Sequence, residues 1–173
     1  MQIKDPRVQL DHVLLQSRRQ LIDYSTMADT KANILLSISS VIATIVLTRV
    51  TDPKLKIAAA VLLVFLLLTA LMALLTLTPN IGIFGAKKRT IADPDFNPFF
   101  FGDYANVKYG DYMAHMEELL NDPSRTYETQ VKELYFAGVY LQKTKYNYVK
   151  LGYIFFFTGL VCSTIVYLIE TVL

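Results

Sequence analysis

Charged and amide side chains packed against the start of an apolar run are the residues of this chain best placed to do chemistry. In 28-ADTKANILLSISSVIATIVL-47 the polar residues Asp29, Lys31 and Asn33 directly precede a membrane-length segment. Asp29 and Asn33 are four residues apart and share a helical face, while Lys31 points elsewhere. A lysine at a bilayer edge can snorkel to the headgroups. A carboxylate there is repelled by anionic lipid and needs a cation. Lys143, Lys145 and Lys150 enter a later apolar run and can supply it. Two chemistries fit: an ionic clamp tying two helices, or a contact to a charged ligand.

The other reactive residues form no constellation. Cys162 is the single cysteine, and His12 and His115 stand far from it and from each other, so neither a disulfide nor a zinc pattern is expected. Gly82 and Gly85 lack the rest of any phosphate-binding fingerprint. Asp93 and Asp95 flank Pro94, which reads as a turn. Ser37, Ser39 and Ser40 have no nearby histidine base; Ser39 with Ala43, and Ser40 with Thr44, have the small-xxx-small spacing of packed membrane helices. Gly159 and Ser163 repeat it. The chain is expected to be no enzyme, to hold no metal or cofactor, and to form a homo-oligomer. A net charge of +2 gives no reason to expect nucleic acid as a partner.

The elements that must position these residues are apolar. Hydrophobic residues make up 53% of the 173-residue chain, above the soluble norm of about 45–50%. Three runs carry no charge: Ala32 to Thr48, Ile57 to Thr78 and Leu151 to Ile169. Each is close to the about 20 residues a spanning helix needs. All but three of the 17 basic residues, Arg49, Lys54 and Lys56, lie before the first run or between the second and third. The positive-inside rule places those segments in the cytoplasm, with the N-terminus inside and the C-terminus outside. The trio Lys87, Lys88 and Arg89 after the second run adds to that bias.

The expected fold is an all-α integral membrane protein: three transmembrane helices with long cytoplasmic helical extensions and a small cytoplasmic helical module. Residues 1–31 form a cytoplasmic helix entering the membrane, 32–48, 57–78 and 149–169 are the spans, and 79–148 form the module. Asp5-Pro6 reads as a helix start. No glycine or proline interrupts Val8 to Thr48, and Leu10, Leu14, Ser17, Leu21, Tyr24, Ala28, Lys31 and Leu35 alternate by four and three like a coiled-coil seam. Asp52-Pro53 turns the chain. The segment 79–104 carries Pro79, Pro94 and Pro98 and the aromatic block Phe99, Phe100, Phe101 and Tyr104, which forms either a plug or a pocket wall. A short helix from Asp111 to Asn121, a break at Asp122-Pro123-Ser124, and a long helix from about Thr126 into the third span complete the chain.

The chain resembles the transmembrane effectors of the Pycsar anti-phage systems. The resemblance is carried by 28-ADTKANILL-36, by 99-FFFGDY-104 with 109-YGDY-112, and by 145-KYNYVKLGY-153, over roughly residues 10–170. It implies a multi-pass effector in the bacterial inner membrane, activated by cyclic UMP or cyclic CMP from a partner cyclase, that damages the membrane and stops phage production. Asp29, Lys31, Ala32, Lys145 and Tyr146 hold positions of these motifs, for ligand binding or for helix coupling. The chain departs from the pattern in having no separate nucleotide-binding domain. A cyclic mononucleotide would need a cation for its phosphate and an apolar or aromatic wall for its base. Arg89 and Arg125 are candidate cations, and Phe99, Phe100 and Tyr104 candidate walls; each also suits plain packing. The alternative is a non-signalling oligomeric scaffold or small channel that recruits a cytoplasmic partner through its helices.

Overall fold

A computed structural model describes residues 8–78 and 89–172. Among them every regular element is helical. The elements are α1 (Val8–Leu47), α2 (Lys56–Leu77), α3 (Phe101–Tyr104), α4 (Tyr109–Leu120), α5 (Pro123–Tyr140), a π-helical turn (Leu141–Lys145) and α6 (Tyr146–Val172). Three helices are long and apolar enough to cross a membrane: α1, α2, and the rod that runs from α5 through the π turn into α6. The expected Asp5-Pro6 helix start, and Lys87 and Lys88 of the basic trio, lie outside the described residues.

The chain divides into two compact units, Met1–Ile22 with Asn80–Val139, and Asp23–Pro79 with Tyr140–Leu173. In the second unit, Ala28, Ala32 and Leu35 of α1 meet Ala73 of α2 and Val149 of α6 in a buried cluster. Ala28 and Ala32 are fully buried, because a methyl side chain lets helix backbones approach closely where a larger one would hold them apart. Gly152 and Gly159 serve the same end on α6. A Cβ at Gly152 would lie 3.2 Å from Leu35 Cδ1, and one at Gly159 would collide with Phe65. Ser163 Oγ donates to the Ala58 carbonyl at 2.9 Å. These contacts pair the start of α2 with the far end of α6 and Met72 with Gly152, so α2 and α6 are antiparallel. Asp29 pairs with Lys145 and Leu35 with Gly152, so α1 and α6 run the same way.

The inward stripe of α1 differs from the expected heptad seam. Leu10, Leu14, Ser17 and Leu21 are partly buried as expected, but the stripe continues through Ser25, Ala28, Ala32, Leu35 and Ser39. Of the seam positions, Tyr24 is the exposed one, at 49%, while Lys31 is half-buried beside the fully buried Ala32. A straight helix repeats at 3.6 residues per turn, and a strict 3.5 repeat drifts off its face by about 20° per heptad. That drift favours Ser25, Ala32 and Ser39, each one residue beyond the strict repeat, while Ala28 and Leu35 stay buried in register.

In the first unit the local chemistry is that of turns and caps. Asp122 Oδ1 accepts the Arg125 amide at 3.1 Å, capping α5 with Pro123 at its first position. The break expected at Asp122-Pro123-Ser124 is thus the start of α5, three residues before Thr126. Asp93 accepts the Thr90 amide at 2.7 Å, the turn expected there. Asp52 likewise accepts the Lys54 amide at 3.1 Å in the link between α1 and α2. The π turn has no mark in the sequence, since no glycine or proline lies between Val139 and Lys150.

Because Ala32 has no room to grow, Ala32→Leu is expected to destabilise the protein by about 1–3 kcal/mol. Ile38→Leu, at an exposed position on the same helix, should be near neutral. Thermal unfolding of both variants in detergent checks the contrast.

Candidate functional site

The motif at the start of the first span closes on the π turn. Lys145 Nζ donates to both carboxylate oxygens of Asp29, at 2.7 and 2.8 Å, and to Ser25 Oγ at 2.9 Å. All three donor positions of the ammonium are therefore used. The Lys145 side chain is 15% exposed and that of Asp29 36%, so the pair sits partly out of water, where its attraction is screened less than on the surface. One residue on, the Tyr146 hydroxyl donates to the Tyr24 carbonyl at 3.2 Å, and Lys31 Nζ lies 5.9 Å from the centre of the Tyr146 ring, within cation–π range. Tyr146 also packs on the Ala28–Ala32–Leu35 cluster.

The π turn carries Lys145 into this arrangement. A π turn admits one extra residue into the helix and rotates the residues beyond it, and such turns recur at functional sites. Here Leu141, at its start, is buried, while Lys145, at its end, faces α1.

Of the candidate residues, Asp29, Lys31, Lys145 and Tyr146 are thus brought together. Asn33 is not: it is exposed and has no hydrogen-bond partner among the described residues. Arg89 donates to Asp103 at 3.3 Å, and Asp103, 5% exposed, also accepts the Asn97 amide at 3.0 Å. This ties the irregular stretch before α3 to α3 itself. Arg125 is paired with Glu118 on the surface. Phe100 stacks against Phe101 at 5.2 Å and Tyr104 against Tyr112 at 5.3 Å. Of these candidates, Phe99 borders a cavity of small-molecule size.

That cavity, about 330 Å³, lies within the first unit between α1, α5 and Phe99. Asp11, Leu14, Leu15, Arg18, Gln130 and Leu134 form the rest of its lining. Asp11 accepts the Tyr127 hydroxyl at 2.6 Å. Arg18 pairs with Glu133 and its guanidinium carbon stands 6.0 Å from the centre of the Phe99 ring. Arg18, Asp11, Gln130 and Glu133 are not among the sequence candidates. Arg18 comes directly after Ser17 of the α1 seam, and that neighbourhood was the available signal. Arg89 and Arg125, the arginines singled out from sequence, do not line this cavity.

Three helices long and apolar enough to cross a membrane, with an ion-paired junction between two of them, are the architecture of a membrane protein. Residues 13–170 match the family model described as the Pycsar effector protein domain, and the chain belongs to that family of membrane effectors in anti-phage defence. No curated protein and no solved structure matches it.

Two of these ion pairs can be tested by unfolding. In a double-mutant cycle of Asp29→Asn and Lys145→Met, the pair should show a coupling of about 1–2 kcal/mol; additive losses would mean that it contributes nothing. The hydrogen bond and charge of Arg125 hold the Glu118 carboxyl below its usual range. Its contribution to stability is then present above that range and fades as pH falls through the lowered value. Glu118→Gln should remove this acid dependence from the thermal midpoint.

Proposed function

We propose that this protein is a ligand-gated effector of the bacterial inner membrane, with its N-terminus in the cytoplasm. Its signal is a cyclic pyrimidine nucleotide, cyclic UMP or cyclic CMP, and its response is a loss of membrane integrity that stops phage propagation. The observation that carries this reading is the Asp29–Lys145 junction on α1, which belongs to the motif at the span's edge. An anchor does not need a three-donor ionic clamp where its helix enters lipid; a helix whose position is to be held and released does.

α1 supplies the mechanical link. It is one uninterrupted helix that carries both Arg18 and Asp29. The cavity beside Arg18 has the size of small-molecule sites, about 300–1,000 Å³. Phe99 offers a wall for a base and Arg18 a guanidinium for a phosphate. In this reading the phosphate competes with Glu133 for Arg18. That exchange gives the ligand different affinities for two arrangements, the condition for any ligand to shift a conformation.

Titration calorimetry of the detergent-purified protein with cyclic UMP, cyclic CMP and cyclic AMP, paired with dye release from liposomes, tests the reading. One pyrimidine nucleotide should bind and trigger release, and cyclic AMP should do neither. Arg18→Ala should weaken binding by at least about tenfold. Asp29→Ala should leave binding intact and alter release. Release that no nucleotide changes would sink the proposal.

A further inference from the structure

Within the membrane-length part of α1, the side turned away from the buried cluster carries a polar stripe beside an apolar one of Ile34, Ile38, Val41 and Ile45. Asn33, Ser37, Ser40 and Thr44 succeed one another at spacings of four, three and four, a single helical stripe, and all four are exposed. α2 has no counterpart. Its exposed positions at the same periodicity, Val64, Leu67, Leu71 and Leu74, are large and apolar, as lipid contact favours. The donors of Ser40 and Thr44 go to their own helix, to the Leu36 carbonyl at 2.7 Å and the Ser40 carbonyl at 2.9 Å. The side chains of Asn33 and Ser37 have no partner among the described residues. An amide brings two donors and an acceptor, and a hydroxyl one donor and two acceptor lone pairs. Hydrocarbon can satisfy none of these, so such a face is poorly matched to lipid.

We infer that this stripe is the surface on which a second copy of the chain docks, α1 against α1. The chemistry of the face selects the occupant. It carries no charge, so it selects no charged partner. Every side chain in it is both donor and acceptor, so it is complementary to itself. Two copies inserted in the same direction are related by a two-fold axis along the membrane normal, which sets identical residues opposite each other. Asn33 then meets Asn33, the pairing by which one amide fixes register in parallel helix pairs. The serines are small enough to let the two backbones approach. This interface rests on α1 spanning the bilayer and owes nothing to the nucleotide.

Disulfide cross-linking of the full chain in proteoliposomes tests it. In a Cys162→Ser background, Ser37→Cys and Ser40→Cys place near-isosteric thiols on the stripe, and Leu67→Cys and Leu71→Cys place them on the exposed face of α2. Oxidation should give covalent dimers from the first two and not from the second two. Adding Asn33→Leu to Ser40→Cys should lower the cross-linked fraction, at limiting protein density, by about tenfold in association constant. Equal cross-linking on both helices, dimers only through α2, or none at all from protein that is membrane-inserted would each overturn the assignment. Cross-linking on α1 with no response to any nucleotide would leave the interface standing and count against the signal proposed above.

Discussion

The fold depends on how charge is handled where α1 and α6 become long and apolar. A carboxylate packed there is costly unless a cation meets it, and an ammonium is costly unless its donors are filled. Asp29 and Lys145 answer both needs at once, with Ser25 taking the third donor. The pairing fixes the level at which α1 and α6 face each other, and the small residues beside it, Ala28, Ala32 and Gly152, let the helices close around that point. The pattern of small residues would permit several axial offsets. The ion pair distinguishes one of them.

Within the second unit, side-chain size and polarity divide the work between the helices. Buried positions of α1 include Ala28, Ala32 and Ser39, and those of α2 include Ala58, Ala59, Ala73, Thr69 and Thr76. The threonines return their hydroxyls to their own helix, Thr69 to Phe65 and Thr76 to Met72, so they fill space without demanding a partner. Many of the large aliphatic residues are left to face outward. This is the reverse of a water-soluble core, and the solvent is the cause. Lipid tails are as apolar as leucine, so helices gain by close contact rather than by hiding apolar surface.

In the first unit, the chain is held by groups that water would otherwise compete for. Asp103 gathers Arg89 and the Asn97 amide, Asp122 caps α5, and Asp11 holds the Tyr127 hydroxyl. Three aspartates here end or anchor short segments. None is a sequence candidate for ligand work.

The helical class and the three long apolar helices were legible in the sequence because both rest on local properties: uncharged length, and the absence of glycine and proline from Val8 to Thr48. The need of Asp29 for a lysine was legible too, since it arises from one residue's charge at a bilayer edge. Charge alone gave Lys143, Lys145 and Lys150 equal claim; the family resemblance singled out Lys145, and a π turn that no residue type announces carries it to α1. The same limit applies to the cavity. Arg18 and Phe99 are far apart in the chain, and whether they meet depends on how α1 packs within the first unit, a sum of many weak contacts that no short motif encodes. The sequence determined what each helix is made of and which groups cannot stand alone; the tertiary structure decided who meets whom, because rotation and offset between helices are set by packing over their whole length.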